Sequence, residues 1–115
     1  MKKLQLLWLF LIAIVFFGTT NVLAQEVGLQ LYSLRNQFKE DIPSTLKLIN
    51  DWGITVLEGG DSYGMPEEEF KGLLAKNNLK VVSVGAGFND LANAPEEGVK
   101  KAKSYGATYV MCAWI

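Results

Sequence analysis

The chain has 115 residues, enough for one small domain; half are hydrophobic and a fifth charged, a globular rather than a disordered composition. Its formal net charge is −1, and −3 once Lys2 and Lys3 are set aside (nine basic residues against twelve acidic), which argues against a nucleic-acid binder and its basic stripe. With no histidine and one cysteine, Cys112, an internal disulfide, a cysteine-cluster metal site and a Ser/His/Asp triad are excluded as well.

Residues 1–24 read as a secretory signal peptide. Lys2 and Lys3 give a positive start, Leu6 to Phe17 is an unbroken apolar run, and "TTNVLA" ends in small Ala24 with Val22 two positions before it. The run is shorter than the ~20 residues of a comfortable membrane span. An uncleaved N-terminal anchor is the alternative, because Gly18 to Ala24 carry no charge and could lengthen the span. If the segment is cleaved the protein is expected to be exported, periplasmic or secreted; the alternative is an N-terminally membrane-anchored protein, and in both cases it meets a membrane only through this segment. The mature domain is expected over 25–115.

From Val27 the pattern repeats. "VGLQLYS" predicts a strand and "IPSTLKLINDWG" a helix, with Leu46 and Ile49 on one face. "ITVLE" predicts a second strand, and "PEEEFKGLLAKN" a second helix with Phe70, Leu73 and Leu74 at helical spacing. "KVVSVG", "PEEGVKKAKSYG" and "TYVMCAW" predict a third strand, a third helix and a fourth strand. The strands start near Val27, Ile54, Lys80 and Thr108, a unit of about 27 residues. Strand alternating with helix at this length implies a parallel sheet.

The punctuation agrees. Pro43, Pro66 and Pro95 each fall at a predicted helix start, where a missing N–H costs nothing. Glu67–Glu69 and Glu96–Glu97 follow two of them and complement the positive end of the helix dipole. The helices close on Gly53, on Asn77–Asn78 and on Gly106, residues that tolerate a left-handed backbone.

Four strands and three helices are half of the eight units that a (β/α)₈ barrel builds from ~250 residues. The chain is expected to be the first half of such a barrel, stopping at the end of the fourth strand. A small open α/β sheet is the alternative. "YVMCAWI" favours the barrel, because a parallel sheet buries such a run on both faces.

In an α/β barrel, chemistry sits at the C-terminal ends of the strands. The residues there are Tyr32, Ser33 and Arg35, then Glu58 to Asp61, then Gly85, Gly87, Asn89 and Asp90, then Cys112 to Trp114. Glu58 ends an otherwise apolar strand, where a carboxylate is costly unless paired or hydrated. It could bind a sugar hydroxyl or orient a partner, or it could serve a structural ion pair. Gln30 and Tyr32 share one parity of the first strand, opposite Leu29 and Leu31; polar groups inside and aliphatic ones towards the helices would suit a polyol pocket, and ordinary barrel filling would suit it too. Trp114 could stack on a sugar ring or fill a core. "GAG" at Gly85–Gly87 lacks the third glycine of a dinucleotide fingerprint, because Asp90 holds that position, so it reads as a tight turn rather than a phosphate loop.

Taken together, "VGLQLYSLRNQF", "WGITVLE", "LKVVSVGAGFNDL" and "AKSYGATYVMCAWI" resemble the N-terminal half of sugar phosphate isomerase/epimerases, the xylose isomerase-like TIM barrels. The resemblance covers about Val27 to Ile115. It implies a sugar isomerase or epimerase that moves a proton next to a carbonyl, assisted by a divalent metal (Mn, Mg, Co or Zn). The catalytic residues and metal ligands it implies fall on later strands, beyond Ile115, so these residues alone are expected to be inactive and to bind no metal. It places Tyr32, Glu58, Gly85 and Trp114 on the substrate side. Many members carry a histidine where Gly85 stands, a departure at the third strand. An exported member would suit a free or oxidised sugar better than a phosphorylated one. A 3-keto-glycoside lyase or hydrolase of the same superfamily, or a carbohydrate-binding barrel without catalysis, are the alternatives.

Overall fold

The structure, a computed structural model, describes Met1 and residues 26–114. The signal peptide expected over 1–24 therefore lies outside the described residues. Strands β1 (Gly28–Gln30), β2 (Val56–Gly59), β3 (Lys80–Gly85) and β4 (Tyr109–Met111) form one parallel sheet in sequence order. The three helices read from the sequence are α2 (Ile42–Asp51), α3 (Glu67–Lys76) and α5 (Pro95–Tyr105). Two short helices, α1 (Arg35–Glu40) and α4 (Phe88–Asn93), stand where the sequence reading placed connections.

The helix ends follow local chemistry. Asp41 caps α2, its carboxylate accepting from the Ser44 N–H and the Ser44 hydroxyl, both at 2.9 Å. Those bonds hold the Asp41 carboxyl below its ordinary value of 3.8, the backbone donor being the larger cause. Pro66 occupies the N-cap of α3, and Pro43 and Pro95 fall in the first turns of α2 and α5. Gly106 closes α5 at φ 66°, and Asn78 follows α3 at φ 54°. Ser104 of α5 donates to Glu67 of α3 at 2.7 Å and ties the two neighbouring helices together.

The core lies between the sheet and the helices. Leu31, Phe38, Leu46, Ile49, Leu57, Phe70 and Val84 are fully buried there, and Leu29 and Val110 pack against them. Leu29, Leu57, Val84 and Val110 thus mark the helix-covered face of all four strands.

Two strands are shorter than the sequence pattern suggests. β1 ends at Gln30, and Leu31–Leu34 form a 3₁₀ turn instead. Gly59 explains the change: a Cβ there would stand 2.7 Å from Leu31 Cδ1, so the missing side chain is the space into which Leu31 turns. β4 ends at Met111, whose carbonyl accepts from Ala86 N–H, and Cys112–Trp114 continue as irregular chain.

Candidate functional site

The face away from the helices is polar across the middle of the sheet. The register aligns Gln30 with Glu58, Glu58 with Ser83, and Ser83 with Tyr109. Partners in register share a face, so these four side chains form one row across four strands, about 14 Å from end to end. Gln30 Nε2 donates to Glu58 Oε1 at 2.7 Å. Among the described residues nothing donates to the other Glu58 oxygen, which is left for a ligand or water.

Ser83 reaches this row through an irregularity. Strict alternation would put it on the same side as Val81. The register between β2 and β3 slips between Leu57 and Glu58, skipping Val82, and both Val81 and Val84 are buried against the helices. The slip turns Ser83 to the open face. Tyr109, 65 % exposed, completes the row. Neither residue was singled out from the sequence. The parity of "TYVM" could have pointed to Tyr109, whereas no one-strand pattern reveals the slip that turns Ser83.

Of the residues expected on the substrate side, Glu58 occupies the centre of the row. Tyr32 does not extend β1; it belongs to the 3₁₀ turn and is 65 % exposed. The Arg35 guanidinium lies 4.7 Å over its ring and donates to its carbonyl at 3.2 Å. Gly85 ends β3 opposite Met111, and its carbonyl accepts from Lys101 Nζ at 3.2 Å. A Cβ at Gly85 would meet nothing within 4 Å, so this strand end faces open space. Trp114 is 86 % exposed and borders a cleft of about 550 Å³ with Gly87–Asp90. The structure thus joins Gln30 to Glu58 and sets Trp114 beside the loop after β3. Tyr32 follows one outer strand and Trp114 the other.

The loop after β2 turns sharply at the same end of the sheet. Gly60, Tyr63 and Gly64 all have positive φ, at 100°, 54° and 85°. Gly60 also passes so close to Val84 that a Cβ would stand 2.9 Å from it. Tyr63, the one with a side chain, is held by stacking on Phe38, ring centroids 4.2 Å apart, and by its N–H on Asp61 Oδ1 at 2.9 Å. Burial, with the Asp61 charge adding to it, pushes the Tyr63 hydroxyl up to about 12.

Among the described residues no three His, Cys, Asp or Glu side chains gather closely enough to hold a metal ion. Glu58 could supply one ligand and the row offers no second carboxylate. These residues alone do not fit the divalent metal that the resemblance implies.

Two solved structures resemble this arrangement, both sugar phosphate isomerase/epimerases from Parabacteroides distasonis. One superposes with a TM-score of 0.61 at 21 % identity, over 80 % of this chain and 43 % of its own. The other has a TM-score of 0.59 at 19 % identity, over 84 % of this chain and 41 % of its own. The chain has the fold of part of a (β/α)₈ barrel. It spans less than half the length of the barrels it matches. No family model and no curated protein matches it. Within this partial barrel, the polar row lies on the helix-free face, and Glu58, Gly85 and Trp114 lie at or beyond the C-terminal ends of their strands.

Proposed function

We propose that this chain is the substrate-binding part of a sugar isomerase or epimerase. The observation that carries the reading is the Gln30–Glu58–Ser83–Tyr109 row on the helix-free face of a partial barrel. A carboxylate fixed by an amide on one side, with two hydroxyls following in line on the other, presents both acceptors and donors to a ring that bears several hydroxyls. Gln30 holds one Glu58 oxygen and so aims the other at the ligand. The likeness to two sugar phosphate isomerase/epimerase structures supports the same class of enzyme.

In this reading Glu58 binds and orients the sugar, and the residues that move the proton belong to a longer protein. The metal implied by the resemblance would have to be held by residues outside 26–114. Residues 1–24 would export the protein, and N-terminal sequencing of the mature form would find Gln25 first.

Calorimetric titration of the full chain with D-glucose and D-fructose tests the binding role. A charge-assisted hydrogen bond contributes about 1.5–3 kcal/mol. Glu58→Gln should therefore weaken sugar binding by roughly ten- to a hundredfold. Unchanged affinity in that variant, or no sugar bound by the wild type, would overturn the reading.

A further inference from the structure

Resting on that reading for its ligand, we infer that Lys101 is a positioning residue for the polar row: it pins the slipped register of β2 on β3 and so keeps Ser83 beside Glu58. Lys101 stands on α5, behind the sheet, yet its half-buried side chain touches the ends of both central strands. Its Nζ donates to the Gly85 carbonyl at 3.2 Å. Its stem passes Gly60 so closely that a Cβ there would stand 3.2 Å from Lys101 Cε. Gly60, buried and at φ 100°, leaves the gap along which the stem runs.

The two contacts fall on one rung of the sheet. Beyond the slip Glu58 pairs with Ser83 and Gly59 with Val84, so the next rung sets Gly60 level with Gly85. Before the slip Leu57 pairs with Val81. Continued straight, that register would set Glu58 against Val82 and Gly60 against Val84. Ser83 would then turn to the helix side with Val81, and Gly85 would lie about 3.3 Å further along from Gly60. The slip leaves Val82 opposite no residue of β2, a cost the straight register would not carry. A lysine that spans Gly60 and Gly85 when they are level offsets that cost, because its charge-assisted bond is stronger than one between neutral groups and would be strained by the displacement. It works from the helix-covered face, so it steers the row without occupying it.

Cross-strand nuclear Overhauser effects in the isotope-labelled full chain read the register directly, and the wild type should show Glu58 next to Ser83. Lys101→Met keeps the stem and removes the donor; it should lose most of the Glu58–Ser83 intensity and gain Glu58–Val82 contacts. It should also weaken D-glucose binding in calorimetry by about three- to tenfold, the share of the one hydrogen bond that Ser83 supplies. Lys101→Arg returns a donor and should restore both. Ser104→Ala, which cuts α5 from Glu67 of α3, controls for general loosening: it should lower the urea midpoint and leave contacts and affinity unchanged. If Lys101→Met does not fold, Lys101→Gln, whose amide stops one bond short of Nζ, takes its place. An unchanged Glu58–Ser83 contact, an equal loss of it in Ser104→Ala, or an altered register with full sugar affinity overturns the inference; if Glu58→Gln still weakens binding, the function proposed above survives alone. A register that answers to Lys101 in a protein that binds no sugar upholds the pin and defeats that function.

Discussion

Gly59→Ala tests how the end of β2 is packed beneath Glu58. The new Cβ would lie 2.7 Å from Leu31 Cδ1, 3.1 Å from Cγ and 3.2 Å from Cβ. Carbon atoms rest at about 3.5–4.0 Å, so Leu31 must retreat by about 1 Å. Leu31 is fully buried and has no open side to move into. Overpacking of this kind costs about 1–3 kcal/mol. For a domain of this size each kcal/mol lowers the melting temperature by about 4–8 °C. Urea unfolding of the full chain, followed by far-ultraviolet circular dichroism, measures the loss directly. Leu31→Val removes the clashing Cδ atom, so Gly59→Ala should cost about 1 kcal/mol less in that background than in the wild type. A Gly59→Ala protein as stable as the wild type, or strictly additive costs in the double variant, would refute the packing described here.

Three further outcomes follow from the same structure. Phe70→Ala empties a fully buried site and should cost about 3–5 kcal/mol, enough to leave much of the protein unfolded at 37 °C by thermal melt. The Asp41 carboxyl is held below its ordinary 3.8, so its stabilisation is complete above that pH and is lost as pH falls towards the depressed value. Asp41→Asn keeps the α2 cap without the titration, so the wild type should lose more melting temperature between pH 5 and pH 2 than this variant does; parallel curves would contradict it. Tyr63 should ionise near pH 12 in an ultraviolet titration, and Tyr63→Phe should remove that step. Because its folded value is raised, Tyr63 makes stability fall as pH climbs from about 10 through 12.

The alternation of strands and helices was legible because each element announces itself locally. Pro43, Pro66 and Pro95 mark helix starts, Gly106 marks a helix end, and Phe70 and Leu74 keep one buried face. β3 begins and ends where its apolar run does, at Lys80 and Gly85. What the pattern could not carry depends on contacts between strands. Leu31 reads as strand until Gly59, 28 positions later, provides the gap it fills. Ser83 looks like a helix-side residue until the slip against β2 turns it round. Glu58 stood out as a carboxylate in an apolar strand, and Gln30 by its parity, but their bond needs the β1–β2 register. The short helix α4 escaped notice because its six residues bury no side chain and so have no amphipathic signature.

The central claim is that a sugar binds on the helix-free face, at the C-terminal ends of the strands. Amide chemical-shift mapping of the ¹⁵N-labelled full chain during a D-glucose titration tests it most directly. The account predicts shifts gathered at Glu58–Asp61, Gly85–Asp90 and Trp114, with Thr55 and Lys80 at the opposite end of the sheet unmoved. Shifts centred on Thr55 and Lys80, or scattered over the outer helices, would contradict it.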